Sequence, residues 1–152
     1  MSHLLLKLQS SEERKMKELK LRHYYGAGMI LYTKDGNGGI SVLLEKRSDN
    51  HTWAIPGGAI DECERFIKAA QRETYEETGI KVESAWPVMK YHLPYFSYYV
   101  FASELCHKAV PRKNWESDAI EWFSIDELPE GINWMTRIEI KDFIRKEKKH
   151  VE

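Results

Sequence analysis

Cysteine is scarce in this chain, with Cys63 and Cys106 the only two among 152 residues. Two cysteines form no disulfide framework and no metal-ligand pattern, so a reduced, cytoplasmic setting is the expectation. Long apolar runs are missing too: no stretch approaches the ~20 residues of a membrane span. The opening "MSHLLLKLQSSEERKMKELK" carries too much charge for a secretory signal, and its "LLLKL" reads instead as a docking segment. Nor is there an excess of either charge. With 23 Lys and Arg against 24 Asp and Glu, the net charge is -1, which gives no general drive toward nucleic acid or membrane. Internal repeats and low-complexity tracts are also absent. What is left is a length suited to one domain with a real core.

The chain reads as alternating elements. Residues 10–21 form a charged helix with Ser10 or Ser11 as cap, giving an N-terminal helical extension over 1–22 ahead of a single domain over 23–150. "YYGAGMILYT" and "ISVLLEKR" read as strands around the turn "KDGNGG", a hairpin. "WAIPGGAI" is short extended chain broken by Pro56 and two glycines. A helix follows from Glu64 to Thr78, with Gly79 as its stop. "KVESAWPVMKYHL", "YFSYYVFASEL" and "AIEWFSI" read as strands, and "WMTRIEIKDFIRKEKK" as a closing amphipathic helix. Such a mixture argues for an α/β fold, a sheet with helices on both faces.

The helix after the glycines carries the chemistry. At ~100° per residue, Glu73, Glu76 and Glu77 share one face, and Phe66, Ala69 and Ala70 fall on the same side, so acids occupy positions that ought to pack inward. Like charges held this close repel and raise one another's pKa, and burying them alone is expensive. A divalent cation resolves the conflict, because hard cations take oxygen ligands and Mg²⁺ binds through a few carboxylates plus substrate phosphates. Gly57 and Gly58 let backbone come close, so a carbonyl there could join the cation. Arg72 is placed to hold a carboxylate in orientation, and Glu64 either pairs with it or caps the helix start.

The alternative is a helix whose acids merely face solvent. Against it stands the length of the pattern: Gly58, five residues, Glu64, seven residues, Arg72-Glu73, two residues, Glu76-Glu77, one residue, Gly79. At roughly 6–7% usage per type, chance agreement is on the order of one in a million.

Gly58, Glu64, Arg72, Glu73, Glu76, Glu77, Gly79 and Ile80 together resemble the Nudix box, and the surrounding strand order resembles the α/β/α sandwich with a mixed sheet found in Nudix hydrolases. Two positions depart from the pattern: Thr74 stands where an aliphatic residue is usual, and Cys63 where glycine often precedes the glutamate. The resemblance implies Mg²⁺- or Mn²⁺-dependent attack of water on a diphosphate linked to a group X. It makes Glu73, Glu76 and Glu77 metal ligands, adds the Gly57 carbonyl, and gives Arg72 a catalytic orienting role. The base is a box glutamate or an acid outside it; Glu116, in a loop before a late strand, is either that base, an extra ligand, or a solvated loop acid.

Substrate contacts are more open. Arg47 reads as a phosphate contact or a surface residue, Trp53 as a base-stacking ring or core, and Asn133 as a purine-edge reader of MutT type or a helix cap. Tyr91, His92 and Tyr95 are weaker candidates on an aromatic strand. A nucleoside triphosphate or oxidised dNTP is the simplest substrate. ADP-ribose, a nucleotide sugar, a dinucleoside polyphosphate and an RNA 5′ end are alternatives, RNA disfavoured because no dense basic or aromatic stretch supports strand binding. A nucleotide-sensing domain without catalysis would be expected to lose box glutamates, and all are kept. The helix at 10–21 lies either on its own sheet or across a second subunit in a homodimer.

Overall fold

The computed structural model describes residues 23–150. The expected N-terminal helix at 10–21 lies outside them. Seven strands form one mixed sheet: β1 (Tyr24–Lys34), β2 (Ile40–Arg47), β3 (Trp53–Ala54), β4 (Gly57–Ala59), β5 (Trp86–Leu93), β6 (Phe96–Glu104) and β7 (Ser117–Ser124). Among the described residues two helices accompany it, α1 (Phe66–Thr78) and α2 (Trp134–His150). No helix among the described residues is long and apolar enough to cross a membrane.

β1 is apolar nearly throughout because both of its faces are covered. Ala27, Met29 and Leu31 point to one side and pack with Leu43, Ala69, Ala70, Ile80 and Val82 beneath α1. Ile30 and Tyr32 point to the other and join Val42, Leu44, Val100, Ile140 and Phe143 beneath α2. The expected three layers are therefore present. Burying one side chain such as Phe143 stabilises the second core by about 1.5–3 kcal/mol.

The pairing of β1 and β2 positions the site. They form the expected antiparallel hairpin, but only over Tyr32↔Val42 to Lys34↔Ile40. Beyond that they part. β1 then pairs with β4, Gly26↔Ala59 to Gly28↔Gly57, while β2 pairs with β3 through Glu45↔Ala54. The segment Pro56 to Ala59 is thus wedged into the opening between the two strands, with the Met29 N–H donating to the Pro56 carbonyl at 2.9 Å. On the far side β1 runs parallel to β6, and β6 antiparallel to β5.

α1 starts at Phe66 rather than Glu64, after the turn that carries the box glutamate. Cys63 has φ 64°, a left-handed conformation that explains why glycine suits this position and why cysteine is strained there. Gly79 ends the helix at φ 73°, its N–H donating to the Tyr75 carbonyl. Thr74 is fully buried and satisfies its hydroxyl on the Ala70 carbonyl at 2.7 Å, so this departure from an aliphatic residue leaves no polar atom stranded. Phe66 is corrected: it is exposed and stacks on Tyr99 at 3.9 Å, while Ala69 and Ala70 are buried as expected.

Candidate functional site

The wedge between β1 and β2 opens into a cavity of 350 Å³ bordered by Glu45, Arg47, Gly57, Gly58, Glu73, Glu77 and Glu116. The α1 acids reach it differently. Glu77 is 4% exposed and Glu73 half-buried, but Glu76 faces solvent, so the single inward face expected for all three is corrected. The physical reason lies at the helix edge: Arg72 draws Glu76 outward as an i+4 partner.

Arg72 is the hub of the box. Its Nε and Nη2 donate to the two oxygens of Glu64 at 2.9 and 3.0 Å, a bidentate pair. Nη1 donates to Glu73 at 2.9 Å and to Glu76 at 3.2 and 3.3 Å, and Nη2 reaches the Ala59 carbonyl at 2.9 Å. Glu64 therefore pairs with Arg72, and it also accepts from the Asp61 N–H at 3.1 Å, tying the loop to the helix. This pairing holds the Glu64 carboxyl below the usual range.

Glu77 accepts from the Gly57 N–H at 3.0 Å. Beside it stands Glu45, 2% exposed on β2, an acid that the sequence reading passed over. The two carboxyls share a hydrogen bond, and Ser117 donates to Glu45 at 3.2 Å. Burial pushes both upward, and for Glu77 the neighbouring Glu45 adds to the effect. Burial likewise raises Glu73, against the opposing pull of Arg72. A signal for Glu45 existed: in "ISVLLEKR" alternation puts it with Leu43, on the inward side.

A metal ion is what the family pattern implies here. Among the described residues no three His, Cys, Asp or Glu side chains stand gathered as a ready cation cage. The donor chemistry nonetheless fits: the acids around the cavity offer only oxygen, and Glu45 and Glu73 act on Glu77 as like charges. A hard divalent cation would relieve that repulsion.

Glu116 borders the same cavity, exposed on the loop before β7, where Ser48 holds its carbonyl through N–H and Oγ at 3.0 and 2.9 Å. Its charge acts on both Glu45 and Glu73. Arg47 is closed on Asp49 in a bidentate pair at 2.7 and 3.0 Å while bordering the cavity. Trp53 sits edge-on to Phe123 at 4.9 Å, within the core layer beneath α2. Asn133 caps α2, its Oδ1 accepting from the Met135 N–H at 2.9 Å.

Asn133 also borders a second cavity of 360 Å³, which shares Tyr24, Arg47 and Gly57 with the first. Tyr91 lines it as well, whereas His92 turns to Ser97 at 2.7 Å and Tyr95 is exposed.

The family model described as NUDIX domain matches residues 22–145. The chain belongs to the Nudix family. This Nudix hydrolase is 30% identical over 122 residues to a MutT-like protein of Streptomyces ambofaciens, covering 79% of this chain and 76% of that one. It is 30% identical over 104 residues to a putative 8-oxo-dGTP diphosphatase of Bacillus subtilis, 67% of this chain and 70% of the relative. It spans only 24% of a nucleoside triphosphate pyrophosphatase/Nudix hydrolase fusion protein of Bifidobacterium longum, at 36% identity over 114 residues. An RNA pyrophosphohydrolase of Aeromonas hydrophila is 36% identical over 75 residues, 44% of this chain and 39% of the relative. Among solved structures, a MutT Nudix hydrolase from Burkholderia pseudomallei superposes with a TM-score of 0.65 at 27% identity, covering 78% of this chain and 96% of that one.

Proposed function

We propose that this Nudix hydrolase cleaves a nucleoside triphosphate or oxidised dNTP at a phosphoric anhydride, with Mg²⁺ or Mn²⁺ as cofactor. The observation that carries this reading is the pairing of two joined cavities. One is lined by acids and backbone from the glycine loop, the other by aromatic rings and polar side chains, and Tyr24, Arg47 and Gly57 border both. A phosphate chain in the first and a nucleoside in the second form one continuous ligand. The resemblance to the putative 8-oxo-dGTP diphosphatase supports the same class.

Glu73, Glu76, Glu77 and the Gly57 carbonyl would hold the cation, with Glu45 standing behind Glu77. When bound, it supplies charge neutralisation for the diphosphate and lowers the pKa of water. The remaining tasks fall to the chain itself. Arg72 fixes the Glu73 and Glu76 carboxylates so that little reorganisation accompanies reaction. Glu116 or Glu73 accepts the proton of the attacking water at a carboxylate oxygen, both having access to the cavity. Arg47 donates to a phosphate oxygen by exchanging Asp49 for the substrate, and the Asn133 Nδ2 faces the nucleoside.

The test is product mass from a panel of nucleoside triphosphates, 8-oxo-dGTP, ADP-ribose and a dinucleoside polyphosphate, in Mg²⁺ and in EDTA. Cleavage of a triphosphate that EDTA abolishes is expected. Exclusive cleavage of ADP-ribose or a dinucleoside compound, or turnover unaffected by EDTA, would overturn the assignment.

A further inference from the structure

The second cavity contains a buried acid that the phosphate chemistry leaves unused. Glu139 lies on the inner stripe of α2 with Thr136, Ile140 and Phe143, and is 2% exposed. Its neighbours are donors. The Tyr91 hydroxyl points at Oε2 from 3.5 Å, and Thr136 also hydrogen-bonds to the carboxyl. No cationic side chain figures among the groups acting on it, and burial pushes it up to about 8. A carboxyl in this position is costly until further donors reach it.

One wall of the same cavity is aromatic, bordered by Tyr24, Tyr91, Phe96 and Tyr98. Tyr24 lies parallel to Phe96 within 6° at 5.1 Å, and Phe96 to Tyr98 within 5° at 5.6 Å, with Tyr91 5.7 Å from Tyr98. Gly26 and Gly28 make this wall possible: a Cβ on either would stand 2.6 to 2.7 Å from the Tyr24 or Tyr98 side chain. A planar ring fits against such a surface, and its edge then meets Glu139.

The donor pattern selects the ring. Protein hydroxyls already donate to Glu139, so its remaining lone pairs call for N–H groups from a ligand. Guanine presents N1–H and the N2 amino group side by side, two donors spaced for one carboxylate. The adenine edge offers an acceptor at N1 beside its amino group, which suits a protonated acid but mismatches the ionised one that prevails above about pH 8. We infer that Glu139 reads the N1–H and N2–H edge of a guanine-type base seated between the aromatic wall and α2. Guanine and 8-oxoguanine share that edge. The inference deepens the nucleotide reading above, and takes from it only the location of the phosphates.

Equilibrium binding in EDTA separates this inference from the reaction. The probes are dGMP, 8-oxo-dGMP and dAMP, titrated at pH 8.5, above the value of about 8 to which burial pushes Glu139, into the intact protein and into Glu139→Gln. At least one guanine-type nucleotide is expected to bind about tenfold or more tightly than dAMP. Which of the two binds better identifies the natural source of the edge. In Glu139→Gln the amide presents one acceptor and one donor, which opposes the two donors of guanine and suits the adenine edge, so the preference falls below about threefold while dAMP affinity is kept or gained. A wild-type protein that binds dAMP as well as both guanine nucleotides, or binds none of the three, overturns the inference. So does a folded variant that keeps the preference. If the variant does not fold, the wild-type ratio still decides. Loss of hydrolysis with the base preference intact would instead count against the reaction.

Discussion

The Glu73 carboxyl occupies the space that a side chain on Gly58 would need: a Cβ there would stand 2.5 Å from the Glu73 Cδ. The glycine is thus the seat of a carboxylate. Gly57 is crowded differently, since its Cβ would meet the Ala27 carbonyl oxygen at 2.6 Å and the Gly28 Cα at 2.8 Å. A flexible side chain can yield and strand backbone cannot. Gly58→Ala should therefore lower turnover at least tenfold with a melting temperature close to wild type, whereas Gly57→Ala should lower the melting temperature by several degrees. Thermal melts beside initial rates check both. Equal effects of the two substitutions on stability would contradict the distinction.

Arg72→Ala releases Glu64, Glu73, Glu76 and the Ala59 carbonyl together. The rate should fall more than substrate affinity, because the carboxylates lose their working orientation. Arg72→Lys should rescue little, since one ammonium cannot keep the bidentate pair with Glu64 and the bond to Glu73. Steady-state kcat and KM resolve the question; a variant that loses affinity alone makes Arg72 a substrate contact.

Glu77→Gln removes one acid from the buried Glu45 pair. Without metal, the variant should be at least as stable as wild type, because a carboxyl disfavoured first by burial and then by Glu45 gives way to a neutral amide. Glu76→Gln, at an exposed position, should leave stability unchanged. Both should weaken Mg²⁺ binding and lower turnover strongly. Calorimetric titration of Mg²⁺ with melts in EDTA measures the two effects apart, and wild-type turnover by both variants at limiting Mg²⁺ would remove these acids from the metal site.

Glu116→Gln keeps size but cannot take a proton. If Glu116 is the base, kcat should fall by about 10²-fold or more, with the fold intact because the side chain is exposed. Single-turnover rates at saturating Mg²⁺ for Glu116→Gln and Glu73→Gln decide between them. A dead Glu73 variant beside a wild-type rate and pH profile for Glu116→Gln places water activation on the helix.

Glu139 gives stability a pH dependence of definite sign. Its carboxyl is pushed up to about 8 in the folded protein, above the ordinary value near 4.5 that it regains on unfolding. The folded state therefore binds more protons between these limits. The contribution is fully present below about 4.5 and lost as pH rises through about 8. Glu139 faces the Tyr91 phenol and the Thr136 hydroxyl, neither of which becomes charged in that window. Glu45 and Glu77 add slopes of the same sign, so the difference between wild type and Glu139→Gln is the relevant quantity. Melting temperatures from pH 5 to 8 should fall more steeply for wild type. Parallel curves would show that Glu139 does not titrate there.

The sequence by itself determined the elements and the reaction class. Turn residues bracket β1 and β2, Gly79 must end α1 because it takes φ 73°, and box spacing is local helical geometry that one turn is enough to express. What each acid faces was a different matter. Glu73, Glu76 and Glu77 share a helix face in projection, yet one is buried, one is half-buried and one is drawn outward by Arg72. Glu45 and Glu139 lie far from the box in sequence, and each looks like one charge in an ordinary amphipathic element. Only the parting of β1 from β2 brings Glu45 beside Glu77, and only the packing of α2 over β5 and β6 turns Glu139 toward an aromatic wall. Local propensity and spacing act within a few residues. Burial is set by which surfaces the whole chain brings together, and burial is what makes these two acids chemically distinct from the others.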